Sequence, residues 1–489
     1  MIAAAPPAGQ VRLGAASGRW VVLATVLGTG MAMLDMTAVN VALPAIGRQL
    51  AASLDGLQWI VSGYTLALAG LILLGGSLGD RLGRRRVFLA GVLWFALASA
   101  LCGLAPTIGV LIAARILQGI GGALLVPGSL AIIQASFARE ARPRAIGAWS
   151  GLSGVAAAAG PLLGGWLVVT AGWRWVFLIN LPVAAVVIVV SLRRLPESRA
   201  EGGRPGFDVA GAVLAALALA GISYALIGVP AGAGAGAVGA AAAAGVAAAV
   251  AFIAVERARG RSVAGPPPML PLGIFASRQF SLINVITFCV YAAFGGELFL
   301  LVLELQAGAG FSALAAGSAL LPVTCLMLVL SPRTAALAQR AGPRRPLAAG
   351  LLTCAAALLL MLRIGVHARY LTDVLPAVVV FGLGLTLVVS PLTVTVLASA
   401  DVRHAGLASG VNNAVARAAS LVAVAGLPAI TGLDSAGYRS PDQLTRGFHL
   451  AMIVCAALLV TASVLAITMI DDRVLRDDLP ARMTSGARG

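Results

Sequence analysis

A chain of 489 residues that is 60% hydrophobic and only 11% charged, with a mean hydropathy of +0.98, cannot hide its apolar surface in a water-soluble core, since ordinary soluble domains carry about 25% charged residues. A net charge of +16 would suggest a nucleic-acid partner in a soluble protein, but here the basic residues sit in short loops between apolar runs, which is a topology signal and argues for no nucleic acid. The five cysteines (Cys102, Cys289, Cys325, Cys354, Cys455) form no Cys-x-x-Cys pair and the three histidines are dispersed, so neither a disulfide framework nor a metal site is expected.

A membrane helix needs about 20 mostly apolar residues, and such windows recur from Trp20 to Ile470. Arg12 and Arg19 precede the first of them with no small-residue cleavage site, so the run from Trp20 is expected as a retained helix rather than a leader. The predicted spans are 20–43, 57–79, 87–105, 108–132, 145–169, 175–192, 209–229, 235–255, 280–303, 313–338, 346–364, 374–398, 405–430 and 447–469. The seventh and eighth are the weakest, because 231–250 is nearly all Ala and Gly; without them twelve spans would remain in the same orientation.

All 34 basic residues are Arg. Six of them (Arg48, Arg174, Arg363, Arg369, Arg439, Arg446) fall on one side of these spans, Arg115 and Arg417 lie within helices, and the other 26 lie on the side of the two termini. This asymmetry predicts a multi-pass protein of the inner (cytoplasmic) membrane with both termini cytoplasmic.

The string Leu78-Gly79-Asp80-Arg81-Leu82-Gly83-Arg84-Arg85-Arg86 recurs weakly as Leu337-Ala338-Gln339-Arg340-Ala341-Gly342-Pro343-Arg344-Arg345. Each copy follows the second helix of a six-helix block, as in parallel repeats related by an axis along the membrane normal. The expected organisation is all-α and integral to the membrane. It has an N-terminal six-helix bundle over 1–195, a linker with two additional spans over 196–275, a C-terminal six-helix bundle over 276–475 and a cytoplasmic tail over 476–489.

Four strings stand out along this frame: Leu34-Asp35-Met36-Thr37-Ala38-Val39-Asn40 in the first span, Gly76-Ser77-Leu78-Gly79-Asp80-Arg81-Leu82-Gly83-Arg84-Arg85 after the second, Arg115-Ile116-Leu117-Gln118-Gly119 in the fourth, and Gly154 with Gly160-Pro161-Leu162-Leu163-Gly164-Gly165 in the fifth. Gln58-Trp59 with Tyr64, Gly172-Trp173-Arg174-Trp175 with Asn180, and Gly406-Leu407-Ala408-Ser409-Gly410-Val411-Asn412-Asn413 accompany them. Together they resemble the fourteen-helix drug:proton antiporter branch of the major facilitator superfamily over nearly the whole chain. The resemblance implies the major facilitator fold, a cytoplasmic locking loop at Gly76, Asp80, Arg81, Gly83, Arg84 and Arg85, and an antiporter motif at Gly154, Gly160, Pro161, Gly164 and Gly165.

A carboxylate at the bilayer centre costs roughly 2.5–3.5 kcal/mol or more, so Asp35 is expected to face a cavity and to serve as a protonation site, with permanent pairing to Arg as the structural alternative. Arg115 cannot lose its charge, and Asp35 is its candidate partner. Glu297 and Glu304 lie seven residues apart in and at the end of the ninth span, near one face of it. Glu297 is expected as a second proton-coupling or cation-binding site. Glu304, Asn40 and Gln118 are candidates for substrate binding, Glu304 otherwise being a solvated helix end. Gly160 and Gly164 have small-x-x-x-small spacing for close helix contact, and the backbone group freed by Pro161 must find a partner inside the bundle.

The expected activity is proton-coupled export of an amphipathic, possibly cationic drug or antibiotic by alternating access, driven by the proton gradient without a cofactor, by a monomer. The rival readings are a nutrient symporter of the same fold and a non-transporting membrane protein or membrane enzyme; no nucleotide loop or metal-ligand spacing favours the enzyme.

Overall fold

The computed structural model describes residues 15–138, 141–199, 206–262, 266–399 and 405–470; the expected tail at 476–489 lies outside them. Among the described residues fourteen helices are long and apolar enough to cross a membrane: α1 Ala16–Gln49, α2 Leu54–Leu82, α3 Arg84–Gly103, α4 Ile108–Ser136, α5 Arg144–Thr170, α6 Arg174–Arg194, α7 Val209–Gly228, α8 Ala235–Arg261, α9 Arg278–Gly308, α10 Ala313–Ser331, α11 Arg344–Arg363, α12 Tyr370–Val396, α13 Leu407–Thr431 and α14 Pro441–Met469. Helices satisfy all their backbone groups internally, which is what allows so apolar a chain to sit in lipid. The Ala/Gly-rich pair predicted with least support is present as α7 and α8.

The two six-helix sets pack by one scheme. In the first, α1 contacts α4, α5 and α6, α4 contacts α2 and α3, and α3 contacts α6. The second repeats this with α9 on α12, α13 and α14, α12 on α10 and α11, and α11 on α14. The weak sequence repeat has a backbone counterpart: Gly83 and Gly342 both adopt positive φ, +115° and +84°, and each lies one or two residues before the next helix. A Cβ at Gly83 would also stand 2.8 Å from Glu197 Oε1, so no other residue fits this turn without strain.

The sets meet through α2 against α13 and α5 against α10. Helix α7 packs on α8, α2 and α13, whereas α8 is only 6% buried over its most apolar window; the added pair therefore lies outside the twelve-helix frame, along the α2–α13 seam.

Helix α1 begins and α14 ends at one face, called here the terminal face; the other is the distal face. Near the distal face the two sets share one core, in which Leu43, Ile46, Leu57 and Ile60 join Phe299, Leu303, Val424 and Phe448. Towards the terminal face the first set has a separate core around Tyr64, Phe88, Phe95 and Phe137. The molecule is thus welded at one end and parted at the other.

Candidate functional site

Where the cores part, a cavity of about 360 Å³ separates the two sets. Ile72, Gly76 and Asp80 of α2, Pro127 of α4, Trp149 of α5 and Asn413 of α13 line it, all in the halves of their helices nearer the terminal face. The connectors beside the added pair complete the wall with Phe207, Asp208, Pro268 and Met269.

The distal face is shut by amide clasps onto backbone carbonyls in helix turns that contain a proline, and in one of them the proline leaves the carbonyl without an N–H partner. Pro428 lies inside α13 and cannot bond the carbonyl of Val424, four residues earlier. Gln58 of α2 donates to that carbonyl at 2.8 Å and to the carbonyl of Ala425 at 3.1 Å. Reciprocally, Gln306 of α9 donates at 2.9 Å to the carbonyl of Val41, three residues before Pro44 in α1. Each set therefore reaches across the seam to a proline-broken turn of the other.

Asp35 lies inside the first set and is fully buried. Its Oδ2 accepts from Arg115 Nη1 at 2.6 Å, and its Oδ1 accepts from Gln118 Nε2 at 2.9 Å and Asn180 Nδ2 at 3.0 Å. Arg115 also donates to Gln118 Oε1 at 2.5 Å and to the Ile60 carbonyl at 3.2 Å, and its guanidinium stacks 4.3 Å over the Tyr64 ring. Ser99 closes the network with Gln118 at 2.7 Å. The expectation that Asp35 faces a cavity is thus not met: four helices wrap it, and its lone pairs are taken by donors instead of water. Gln118 belongs to this network and not to the cavity wall. Ser99 carried no sequence signal beyond being a hydroxyl in an apolar run.

In the second set Glu297 occupies a comparable place on α9. It is 3% exposed, and among the described residues no hydrogen bond or ion pair reaches its carboxyl. Cys354 of α11 and Cys455 of α14 lie within range of its charge, so it points into the bundle and does not line the cavity. Glu304 is not a solvated helix end: it is fully buried at the start of a π-helical turn, Glu304–Gly308, that carries α9 onward. Its Oε1 accepts from Thr445 of α14 at 2.6 Å while Oε2 has no partner. Asn40 is also buried and donates only to the Met36 carbonyl, at 3.3 Å, leaving its Oδ1 unpaired; it does not line the cavity either.

At the terminal face the expected locking loop does not bridge the two sets. Asp80 pairs with Arg84 at 2.7 Å across the α2–α3 turn and caps no helix. Arg85 donates to the Leu195 carbonyl at 2.9 Å, its backbone N–H donates to Glu197 at 3.1 Å, and Arg81 reaches the Gly206 carbonyl. The loop is therefore tied to the α6–α7 connector while the cavity separates it from α13, the arrangement of a lock that stands open.

The glycines of the fifth helix divide between two neighbours. A Cβ at Gly160 would collide with Thr37 Oγ1, and one at Gly164 would stand 2.9 Å from Ala38 of α1. One at Gly165 would stand 2.5 Å from the Ala313 carbonyl of α10. Pro161 frees the carbonyl of Ala157, and Thr37 Oγ1 donates to it at 2.8 Å. Gly154 has open space where its Cβ would be, so close packing is not its role in this conformation. Arg417 on α13 crosses the seam to thioethers only, Met36 Sδ at 2.9 Å and Met33 Sδ at 3.7 Å.

Residues 25–424 match the family model described as Major Facilitator Superfamily. Among curated proteins, the chain is 36% identical over 392 residues to the tetracenomycin C resistance and export protein of Streptomyces glaucescens, covering 79% of this chain and 71% of that one. It is 35% identical over 470 residues to a puromycin resistance protein of Streptomyces alboniger, with 93% and 92% coverage, and 36% identical over 396 residues to a multidrug resistance protein of Mycobacterium tuberculosis, with 80% and 72% coverage. Among solved structures, a POT family transporter in complex with 5-aminolevulinic acid shares the fold at a TM-score of 0.69 and 12% identity, covering 93% of this chain and 96% of that one. With the family model spanning most of the sequence and fourteen spans in place, the chain belongs to the Major Facilitator Superfamily, and its relatives there are drug-resistance and export proteins.

Proposed function

We propose that this protein exports amphipathic small molecules, antibiotics among them, across the cytoplasmic membrane in exchange for protons, by alternating access. The observation that carries the reading is the cavity between the two sets, parted at the terminal face and clasped shut at the distal one. The Arg asymmetry supports a cytoplasmic terminal face, and on that reading the cavity is the one that loads cargo from inside the cell. The names of the relatives support export of antibiotics as the activity.

Two of the buried acids, Asp35 and Glu297, divide the coupling. A charged carboxylate buried without a donor is costly, so the neutral acid is the form that Glu297's surroundings accommodate while the distal face is shut. Release of that proton to the cytoplasm and entry of substrate from the same face become competing events, which is what couples an antiporter. Asp35 acts through Arg115: protonating Asp35 removes the charge that holds the guanidinium, and the difference in that attraction between conformations biases their equilibrium.

The test is compound-driven proton movement in everted membrane vesicles, comparing wild type with Asp35→Asn and Glu297→Gln. Wild type should dissipate an imposed pH gradient when a substrate antibiotic is added, and Glu297→Gln should not. Substrate uptake by intact cells along the proton gradient would establish the symport reading instead, and normal coupling in both variants would remove both acids from the mechanism.

A further inference from the structure

The membrane interior of this protein holds two arginines, and they differ in what they touch. Arg115 is saturated by a carboxylate, an amide oxygen and a backbone carbonyl. Arg417 has none of these: among the described residues it meets only the sulfurs of Met33 and Met36, and thioethers are weak acceptors for a group that carries five N–H donors and cannot lose its charge. A half-buried cation at the seam between two moving bodies is therefore left with most of its donors unused.

Its position lies beyond the inner end of the cavity. Gly410 and Asn413 of α13 line the cavity wall, and Arg417 follows four and seven residues later, on the same helix face and further from the terminal face. Within its own set, Tyr291 of α9 lies within range of its charge, with the Phe294 ring 6.4 Å from Tyr291 and the Phe381 ring 5.3 Å beyond. The acids that line the cavity are already occupied, Asp80 by Arg84 and Asp208 by Arg259. Beyond the inner end of the cavity, along the same face of α13, stands an uncompensated guanidinium beside an aromatic wall.

We propose that Arg417 is the anchor for an acidic group on the transported molecule, so that the preferred substrates are flat, amphipathic organic anions: a carboxylate or ionised phenol paired to the guanidinium, with the apolar body against Tyr291 and Phe294. This rests on the export reading and names its substrate class, replacing the expectation of a cationic cargo. A bidentate carboxylate satisfies the fork geometry that the thioethers leave empty.

The experiment is equilibrium binding of three isosteric fluorescent probes to the full chain in lipid nanodiscs: anthracenecarboxylate, its neutral carboxamide, and anthracenylmethylammonium. Wild type should bind the acid at least tenfold more tightly than either of the others, and the acid alone should raise the melting temperature. Arg417→Gln should weaken the acid tenfold or more and the carboxamide little, with Arg417→Lys between. If Arg417→Gln does not fold, the wild-type preference among the three probes decides. Equal binding of acid and carboxamide, tighter binding of the ammonium, no binding of the acid, or equal losses for acid and carboxamide in Arg417→Gln would overturn the proposal. Acid preference without transport of any probe into everted vesicles would keep the anion site and refute export; transport without acid preference would do the reverse.

Discussion

Asp35→Asn tests how the first set is held together, because it keeps shape and removes only charge. The structure ranks the bonds in that network. Neutral interhelical hydrogen bonds in membranes average about 0.6 kcal/mol, so Ser99→Ala, which loses its bonds to Gln118 and Asn180, should cost about twice that. Removing one partner of a buried ion pair costs about 3–5 kcal/mol, since the other charge is left uncompensated, and Arg115 and Asp35 are 1% and 0% exposed. For a body the size of the first set, about 2–4 °C of melting temperature accompanies each kcal/mol, which gives a drop of about 6–20 °C for Asp35→Asn and a similar one for Arg115→Met. The double variant should lose about 2–3 kcal/mol less than the sum of the two single losses. The assay is thermal unfolding of the purified proteins in detergent, followed by tryptophan fluorescence. Additive losses in the double variant, or an Asp35→Asn no worse than Ser99→Ala, would refute the argument that the charge pair is the unit.

Three further substitutions address packing and closure. Gly164→Ala places its Cβ 2.9 Å from Ala38 and should cost about 1–3 kcal/mol through overpacking, whereas Gly154→Ala, with open space, should melt like wild type in the same assay. Gly83→Ala meets both a positive φ and Glu197, and a loss of about 1–3 kcal/mol in unfolding free energy is expected. Gln58→Leu removes two bonds at about 0.6 kcal/mol each, and should shift the equilibrium several-fold towards a distal opening, read as faster labelling of a cysteine introduced by Ser435→Cys with an impermeant maleimide.

The frame was legible because burial in lipid writes itself as apolar length: the helix positions, the two-fold plan and the strained glycine turn all show as runs, repeats and spacing. The motif strings also identified Asp35, Arg115 and Gln118, which meet within hydrogen-bond distance. What sequence could not supply was direction around each helix. Glu297 and Glu304 share a face by spacing, yet the first is unpartnered inside the bundle while a π-helical turn draws the second under Thr445. Nothing local in the span that contains Asp35 says which neighbours its carboxylate meets, and only the packing of α4 and α6 on α1 decides it. Thr37 and the Ala157 carbonyl that Pro161 frees, 120 positions apart in the chain, become partners through α1–α5 contact that no local pattern encodes.

The clasps at the distal face bear on how freely this sequence can drift. Their acceptors are main-chain carbonyls of Val424, Ala425 and Val41, so the side chains at those positions can change without loss of the bond. What must persist is the pair of glutamines and, for Gln58, the proline that interrupts the ladder at the carbonyl it reaches. Refilling the ladder with Pro428→Ala would hand the carbonyl of Val424 back to its own helix, and Gln58 would then become an ordinary buried amide in search of a partner. Selection therefore links Pro428 to Gln58 across the seam, and a lineage that loses that proline gains the freedom, and the pressure, to lose the glutamine opposite it.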